Sequence, residues 1–182
     1  MPQHSDVSDQ HNPASQRHPA SRHHPASRPP AVRALTGVFS HLVQQHRQAS
    51  DLLQRAKASS SAARRGELWS QARRQLLSHE RAEVLEVYSA LEGYDAGPAI
   101  AEQHTRQSNE MESIINELDA IDTASKAWAA KLLDVIALFE EHVEGEERDF
   151  FPLAQGILGE AMALELEERY EGAQRAILDT LA

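Results

Sequence analysis

Four histidines and two glutamates interrupt the lines of apolar residues that this chain has to bury, and they constrain its fold more than any other feature. From residue 34 onward apolar side chains recur at spacings of three and four, the period of an amphipathic helix. One stripe reads Leu35, Phe39, Leu42, His46, Ala49, Leu53 and Ala56. A second reads Trp69, Ala72, Leu76, His79, Glu83, Val87 and Ala90. A third reads Ile100, His104, Ser108, Met111, Ile115 and Leu118, and a fourth Trp128, Leu132, Val135, Phe139, His142 and Glu146. A fifth stripe, Met162, Leu166, Tyr170, Ala173 and Ile177, carries no histidine or glutamate. With breaks at the Gly/Pro-containing segment 92–98 and at Pro152, the pattern predicts helices over roughly Ala34–Ala58, Ser61–Leu91, Ala99–Ile121, Ala124–Phe151 and Glu160–Leu181. Proline at 152 should end or kink the fourth. No long stretch shows strand alternation. The expected fold is all-α: an up-down-up-down four-helix bundle with an additional C-terminal helix across one end or side.

The polar interruptions carry the chemistry. His79 and Glu83 are four residues apart, as are His142 and Glu146, and four residues turn a helix by only about 40°, so each pair points one way. A buried ionised glutamate is costly without compensation, and two facing each other are worse. Bound cations of charge two or three remove that cost. One histidine on a stripe is ordinarily a hydrogen-bonded core residue, and one His-x-x-x-Glu is common. One histidine on each of four helices with two matching pairs points to a metal centre, against the alternative of a polar core network. The arrangement also repeats internally. His46 precedes His79 as His104 precedes His142, and an aromatic residue, Tyr88 or Phe151, falls nine positions after the histidine of each pair. Other candidates rank lower. His41 falls off its stripe and reads as surface. Tyr88 should lie half a turn from His79, directed away from any metal and toward the fifth helix. Glu86 and Asp149 return to the inner face but read as solvated near the bundle end. Trp69, Trp128, Phe39 and Phe139 read as core.

Residues 1–32 read differently. Pro-Ala-Ser recurs at a period of six through residues 13–27, and His4, His11, His18, His23 and His24 account for five of the ten histidines. Rich in proline and lacking large apolar residues, this tail should be disordered, leaving 33–182 as the folded domain. Of the net charge of -10 the tail contributes +1 and the domain -11, and so acidic a domain disfavours nucleic-acid binding. Without cysteine, thiolate metal sites, iron–sulfur clusters and disulfides are excluded. No apolar run is long enough for a membrane span and no leader segment is evident, so a cytoplasmic setting is expected.

A lone histidine followed by His-x-x-x-Glu and an aromatic residue, given twice, resembles the hemerythrin-like, or HHE cation-binding, family over residues 35–155. The second half, HVEGEERDFFPLA, is close to the family form, while the first, HERAEVLEVYSAL, has Ser89 where proline is usual. The resemblance implies two bridged irons, with His46, His79, His104 and His142 as terminal ligands and Glu83 and Glu146 as bridges. Manganese or zinc could take their place. It implies small ligands such as dioxygen, nitric oxide or peroxide, or iron sensing. Oxygen carriers of this family place a further histidine where Ser108 stands and an acid at the position of Glu147. Glu146 is the preferred bridge because its spacing matches Glu83, and Ser108 weighs against dedicated oxygen transport. A peroxide-removing oxidoreductase is the enzymatic alternative, and a metal-free helical interaction module is the third reading.

Overall fold

The computed structural model describes residues 34–95 and 97–181; the repeat-bearing tail and its five histidines lie outside the described residues. Every regular element among them is helical: α1 (Val38–Ala58), α2 (Ala62–Glu83), α3 (Ser89–Leu91), α4 (Gly97–Asp119), α5 (Lys126–Gly145), α6 (Phe151–Leu158) and α7 (Glu160–Thr180). Two π-helical turns, Val84–Tyr88 and Glu146–Phe150, join α2 to α3 and α5 to α6. None of these helices is long and apolar enough to cross a membrane.

The helix starts follow from local chemistry. The Ser61 hydroxyl accepts the Arg64 amide and the Ser125 hydroxyl the Trp128 amide, satisfying donors that a first turn leaves free. α1 begins at Val38, capped by Gly37, later than its periodicity suggests. Gly37 has φ 53°, and a Cβ there would run into the Ala163 carbonyl at the start of α7, so only glycine fits. Pro152 does not end the fourth helix. It lies in the first turn of α6, where a missing amide hydrogen costs little, and the helix runs on to Leu158.

α1 packs on α2, α5 and α7; α4 packs on α5 and α2; α7 lies along α1 and α2. The buried residues form two apolar clusters. One gathers Trp69, Trp128, Leu132, Phe139, Met111 and Ile115. The other gathers Phe39, Leu42, Tyr88, Phe151, Leu166 and Tyr170. Along each of α1, α2 and α4 the stripe passes from one cluster to the other through its histidine, and the stripe of α5 does so past His142 at Phe150 in the π turn. The polar residues therefore form a layer between two dry regions.

Candidate metal centre

All six sequence-predicted residues are in that layer. Glu83 and Glu146 have no exposed surface, and His46, His79, His104 and His142 are each 8% exposed or less. The donors fall into two groups. His46, His79 and Glu146 form one, and Glu80, Glu83 and His142 the other, with ligand atoms within 4.8 Å of one another. His46 Nε2 lies 3.3 Å from Glu146 Oε2, and His79 Nε2 lies 3.3 Å from Glu83 Oε2. His142 Nε2 lies 3.3 Å from Glu146 Oε1, so the two oxygens of Glu146 face the two groups. His104 is more distant, with Nδ1 3.8 Å from Glu146 Oε1.

These spacings and the unpartnered atoms test whether a metal fits. Two donors held at about 2.0–2.1 Å by one tetrahedral ion lie roughly 3.4 Å apart, slightly beyond good hydrogen-bond range. Among the described residues, both oxygens of Glu83, Oε2 of Glu146, Oε1 of Glu80, Nδ1 of His104 and both ring nitrogens of His142 are buried without a hydrogen-bond partner. Such atoms are rare in folded proteins. Gathered in one layer, they fit cations held among them.

Glu80 was not foreseen. It follows His79 directly, off the stripe, and periodicity assigns it to the helix flank. Yet it is 2% exposed, its Oε1 lies 3.2 Å from His142 Nε2, and its Oε2 accepts the Ser108 hydroxyl at 2.6 Å. The available signal was Ser108, a small hydroxyl on an otherwise bulky stripe, which leaves room for a side chain from α2. The second half has Val143 at the matching position, so the internal repeat is broken here.

Tyr88 also departs from expectation. It does not point away: its hydroxyl donates to Glu146 Oε1 at 2.6 Å. The π-helical turn before it is the reason. A wider turn rotates the chain less per residue, so the side chain swings back toward the layer. The second π turn likewise brings the Phe150 ring to 4.0 Å from the His104 ring and sets Phe151 nearly parallel to His46. Phe151 has no hydroxyl to offer Glu83, and the two glutamates differ accordingly. Burial alone would raise Glu146, but His142, His46 and the Tyr88 hydroxyl draw it down to about 2. Burial and the charges of Glu146 and Glu80 push Glu83 well above the carboxylate range. Tyr88→Phe should therefore cost the metal-free protein about 1–3 kcal/mol, since it leaves a buried charged acceptor short of a donor. Urea unfolding measures this, and an unchanged midpoint would refute the contact.

The outer nitrogens of two histidines are anchored. His46 Nδ1 meets Glu147 Oε1 at 3.0 Å, so Glu147, a third exposed, braces His46 from outside while Glu146 points inward. His79 Nδ1 lies 3.0 Å from Gln45 Oε1 and 3.1 Å from the Tyr170 hydroxyl. Such anchoring orients a ring whose other nitrogen holds a metal. Glu86 instead pairs with Arg169 at 2.6 Å, and Asp149 pairs with Arg148 on the exposed surface.

A family model described as the hemerythrin HHE cation-binding domain matches residues 37–154. The chain belongs to this family. The match runs from the start of α1 into α6 and takes in both donor groups. Comparison with curated proteins and with solved structures finds no match. α7 lies beyond the matched residues, so the anchoring of His79 by Tyr170 is contributed from outside the HHE domain proper.

Proposed function

We propose that this HHE domain holds a non-haem centre of two irons and uses it to bind or sense a small ligand such as dioxygen, nitric oxide or peroxide, or iron itself. The observation that carries this reading is the pair of buried donor groups spanned by Glu146, with both oxygens of Glu83 in the second group unpartnered. In this reading His46, His79, His104 and His142 are terminal ligands and Glu83 and Glu146 bridges. Glu80 adds a third carboxylate on the His142 side. The four long helices are taken as an up-down-up-down bundle that delivers one histidine each. A mixed imidazole and carboxylate set suits iron, with manganese or zinc as substitutes. A bound centre of this kind supplies coordination positions and electrons to small molecules. The protein orients the rings through Glu147, Gln45 and Tyr170, and keeps bulk water out with the aromatic residues on either side.

Metal analysis with an absorption spectrum of purified protein tests the proposal. About two irons per chain with an oxo-to-iron band is the expected result. Folded protein that takes up no metal would defeat it and leave the metal-free interaction module. The carboxylate-rich set also favours a second reading, peroxide removal, because anionic oxygen donors stabilise iron in its higher charge state. Continuous peroxide turnover that vanishes in Glu83→Ala would select it. Reversible spectral change without turnover would select binding or sensing.

A further inference from the structure

The anchor behind His79 leads outward to a second group of donors. The Gln45 amide accepts at Oε1 from His79 Nδ1–H and from the Tyr170 hydroxyl, the latter at 2.8 Å. Its Nε2 reaches His41 Nε2 at 2.7 Å and Gln174 Oε1 at 2.8 Å, and Gln174 Nε2 returns a bond to Gln45 Oε1 at 2.8 Å. The two amides thus form a closed pair between the buried layer and His41. On its outer side His41 Nδ1 faces two carboxylates one turn apart on α7, Glu167 Oε1 at 3.4 Å and Glu171 Oε1 at 3.6 Å. The three donors lie within 4.8 Å of one another and are half-buried. His41 and Glu171 border a cleft of about 370 Å³ lined also by Gln44, Gln48 and Arg175.

A plain ion pair explains this group poorly. A charge-assisted bond from imidazole to carboxylate closes to about 2.7–2.9 Å, and neither contact does so. One ring N–H cannot serve two carboxylates, and like charges four apart on a helix repel. The other oxygen of Glu171 reaches Arg175 at 3.4 Å, and Glu167 has no such cation among the ion pairs of the described residues. Separations of 3.4 and 3.6 Å match the edges of a tetrahedron around a shared ion at about 2.0–2.2 Å.

We propose that His41, Glu167 and Glu171 form a separate, mononuclear site for a divalent cation on the outer face of α1 and α7, set in opposition to the buried centre by the Gln45–Gln174 amide pair. The opposition follows from hydrogen-bond polarity. A cation on His41 Nδ1 moves the ring proton to Nε2, which must then donate. Gln45 has to turn Oε1 toward His41, and Gln174 turns with it. Nε2 of Gln45 then faces His79 and Tyr170, and the Tyr170 hydroxyl donates to His79 Nδ1. His79 must in turn carry its proton on Nε2, the nitrogen directed at the buried donors, where it blocks a metal. Filling the outer site therefore weakens His79 as a ligand, and a metal on His79 weakens the outer site. One nitrogen and two carboxylate oxygens suit zinc, manganese or ferrous iron. Glu167 and Glu171 lie outside the matched HHE residues. The outer site stands on its own donors; only the opposition rests on the reading of His79 as a metal ligand.

Zinc binding to the full chain, measured by equilibrium dialysis with the His41 ring followed by nitrogen NMR, tests both parts. His79→Leu frees the amide pair, and zinc should then bind the outer site at least tenfold more tightly than in the zinc-loaded native chain, with His41 moving to the Nε2–H form. Adding Glu167→Gln and Glu171→Gln should abolish that binding and the NMR change. Gln45→Leu should give the same gain by a different route, which guards against misfolding of one variant. If the paired glutamine substitutions leave zinc uptake and the His41 signals unchanged in both backgrounds, the outer site is refuted. Equal outer-site affinity with and without His79 would refute the opposition. A native chain that loads neither zinc nor iron on the buried donors, as judged against Glu83→Ala, would instead refute the metal centre and leave the outer site to be judged by the glutamine variants.

Discussion

Replacing Glu83 with leucine should make the metal-free protein more stable and deprive it of metal. Glu83 has no exposed surface, and neither of its oxygens finds a hydrogen bond among the described residues. Burial, reinforced by Glu146 and Glu80, raises its carboxyl well above the ordinary carboxylate range, so its charged form is disfavoured in the metal-free fold. Its neighbour His79 is brought down to about 4 by burial and by the charge on His46, and so is neutral near pH 7. His46 and His142 owe their raised values mainly to Glu146, Glu147 and Glu80, with Glu83 the smallest cause, so the substitution leaves their charges paired. A side chain of similar volume replaces an unsatisfied polar group, a gain of about 1–3 kcal/mol. The same change removes a carboxylate from the middle of the donor set, so iron content should fall from about two per chain to one or none. Urea midpoints of chelator-treated protein and metal analysis of the same preparations measure both effects. A variant that was less stable without metal, or that kept its full iron, would show that Glu83 has a partner and a role other than those argued.

Alkaline pH should destabilise the metal-free protein, and metal should abolish that loss. Burial alone would lower His46, but Glu146 and Glu147 raise it to about 9. Burial likewise opposes His142, and Glu146 and Glu80 raise it to about 10. Both histidines are protonated in folded and unfolded chains below about pH 6.5. Their stabilisation is complete there and is lost as pH climbs toward 9 and 10. Glu83 acts in the same direction: its raised carboxyl holds a proton that the unfolded chain gives up above the ordinary carboxylate range, so stability falls with rising pH. Two groups act the other way at low pH. Glu146, drawn down to about 2, contributes stability present above its unfolded value and lost as pH falls toward 2. His79, drawn down to about 4, is neutral in the fold and costs stability as pH falls from 6.5 through 4. The metal-free optimum should fall in the mildly acidic range, with a loss on the order of a few kcal/mol by pH 9. Cations take the place of the protons on His46 and His142, so loading near pH 7.5 should release protons and flatten the alkaline limb. Urea midpoints against pH, with and without metal, and proton release in weak buffer report this. A flat metal-free profile between pH 6.5 and 9, or loading without proton release, would contradict it.

Much of the site was legible because burial and helical period are local properties. A histidine at the fourth place of an apolar stripe must be buried if the stripe is, and a partner four residues on must point the same way. That logic placed His46, His79, Glu83, His104, His142 and Glu146 in one layer without any knowledge of how the helices meet. It failed where its premise failed. Val84–Tyr88 is a π-helical turn, so Tyr88 does not lie where nine α-helical steps would put it. Pro152 was expected to end or kink a helix and instead lies in the first turn of one, after the second π turn.

The sequence by itself determined the all-helical class, the family and the six inward residues, since each rests on a repeat that a single helix displays. Only the tertiary structure decided which residues cross between helices. Glu80 is a flank residue on α2 until Ser108 of α4 leaves it space beside His142. Glu146 and Glu83 occupy equivalent places in the repeat until one meets a tyrosine hydroxyl and the other meets none. His41 is an off-stripe surface residue until α7 sets two carboxylates beside it. Whether a side chain is charged, partnered or free depends on atoms brought from distant parts of the chain, and no periodicity within one helix encodes which atoms those are.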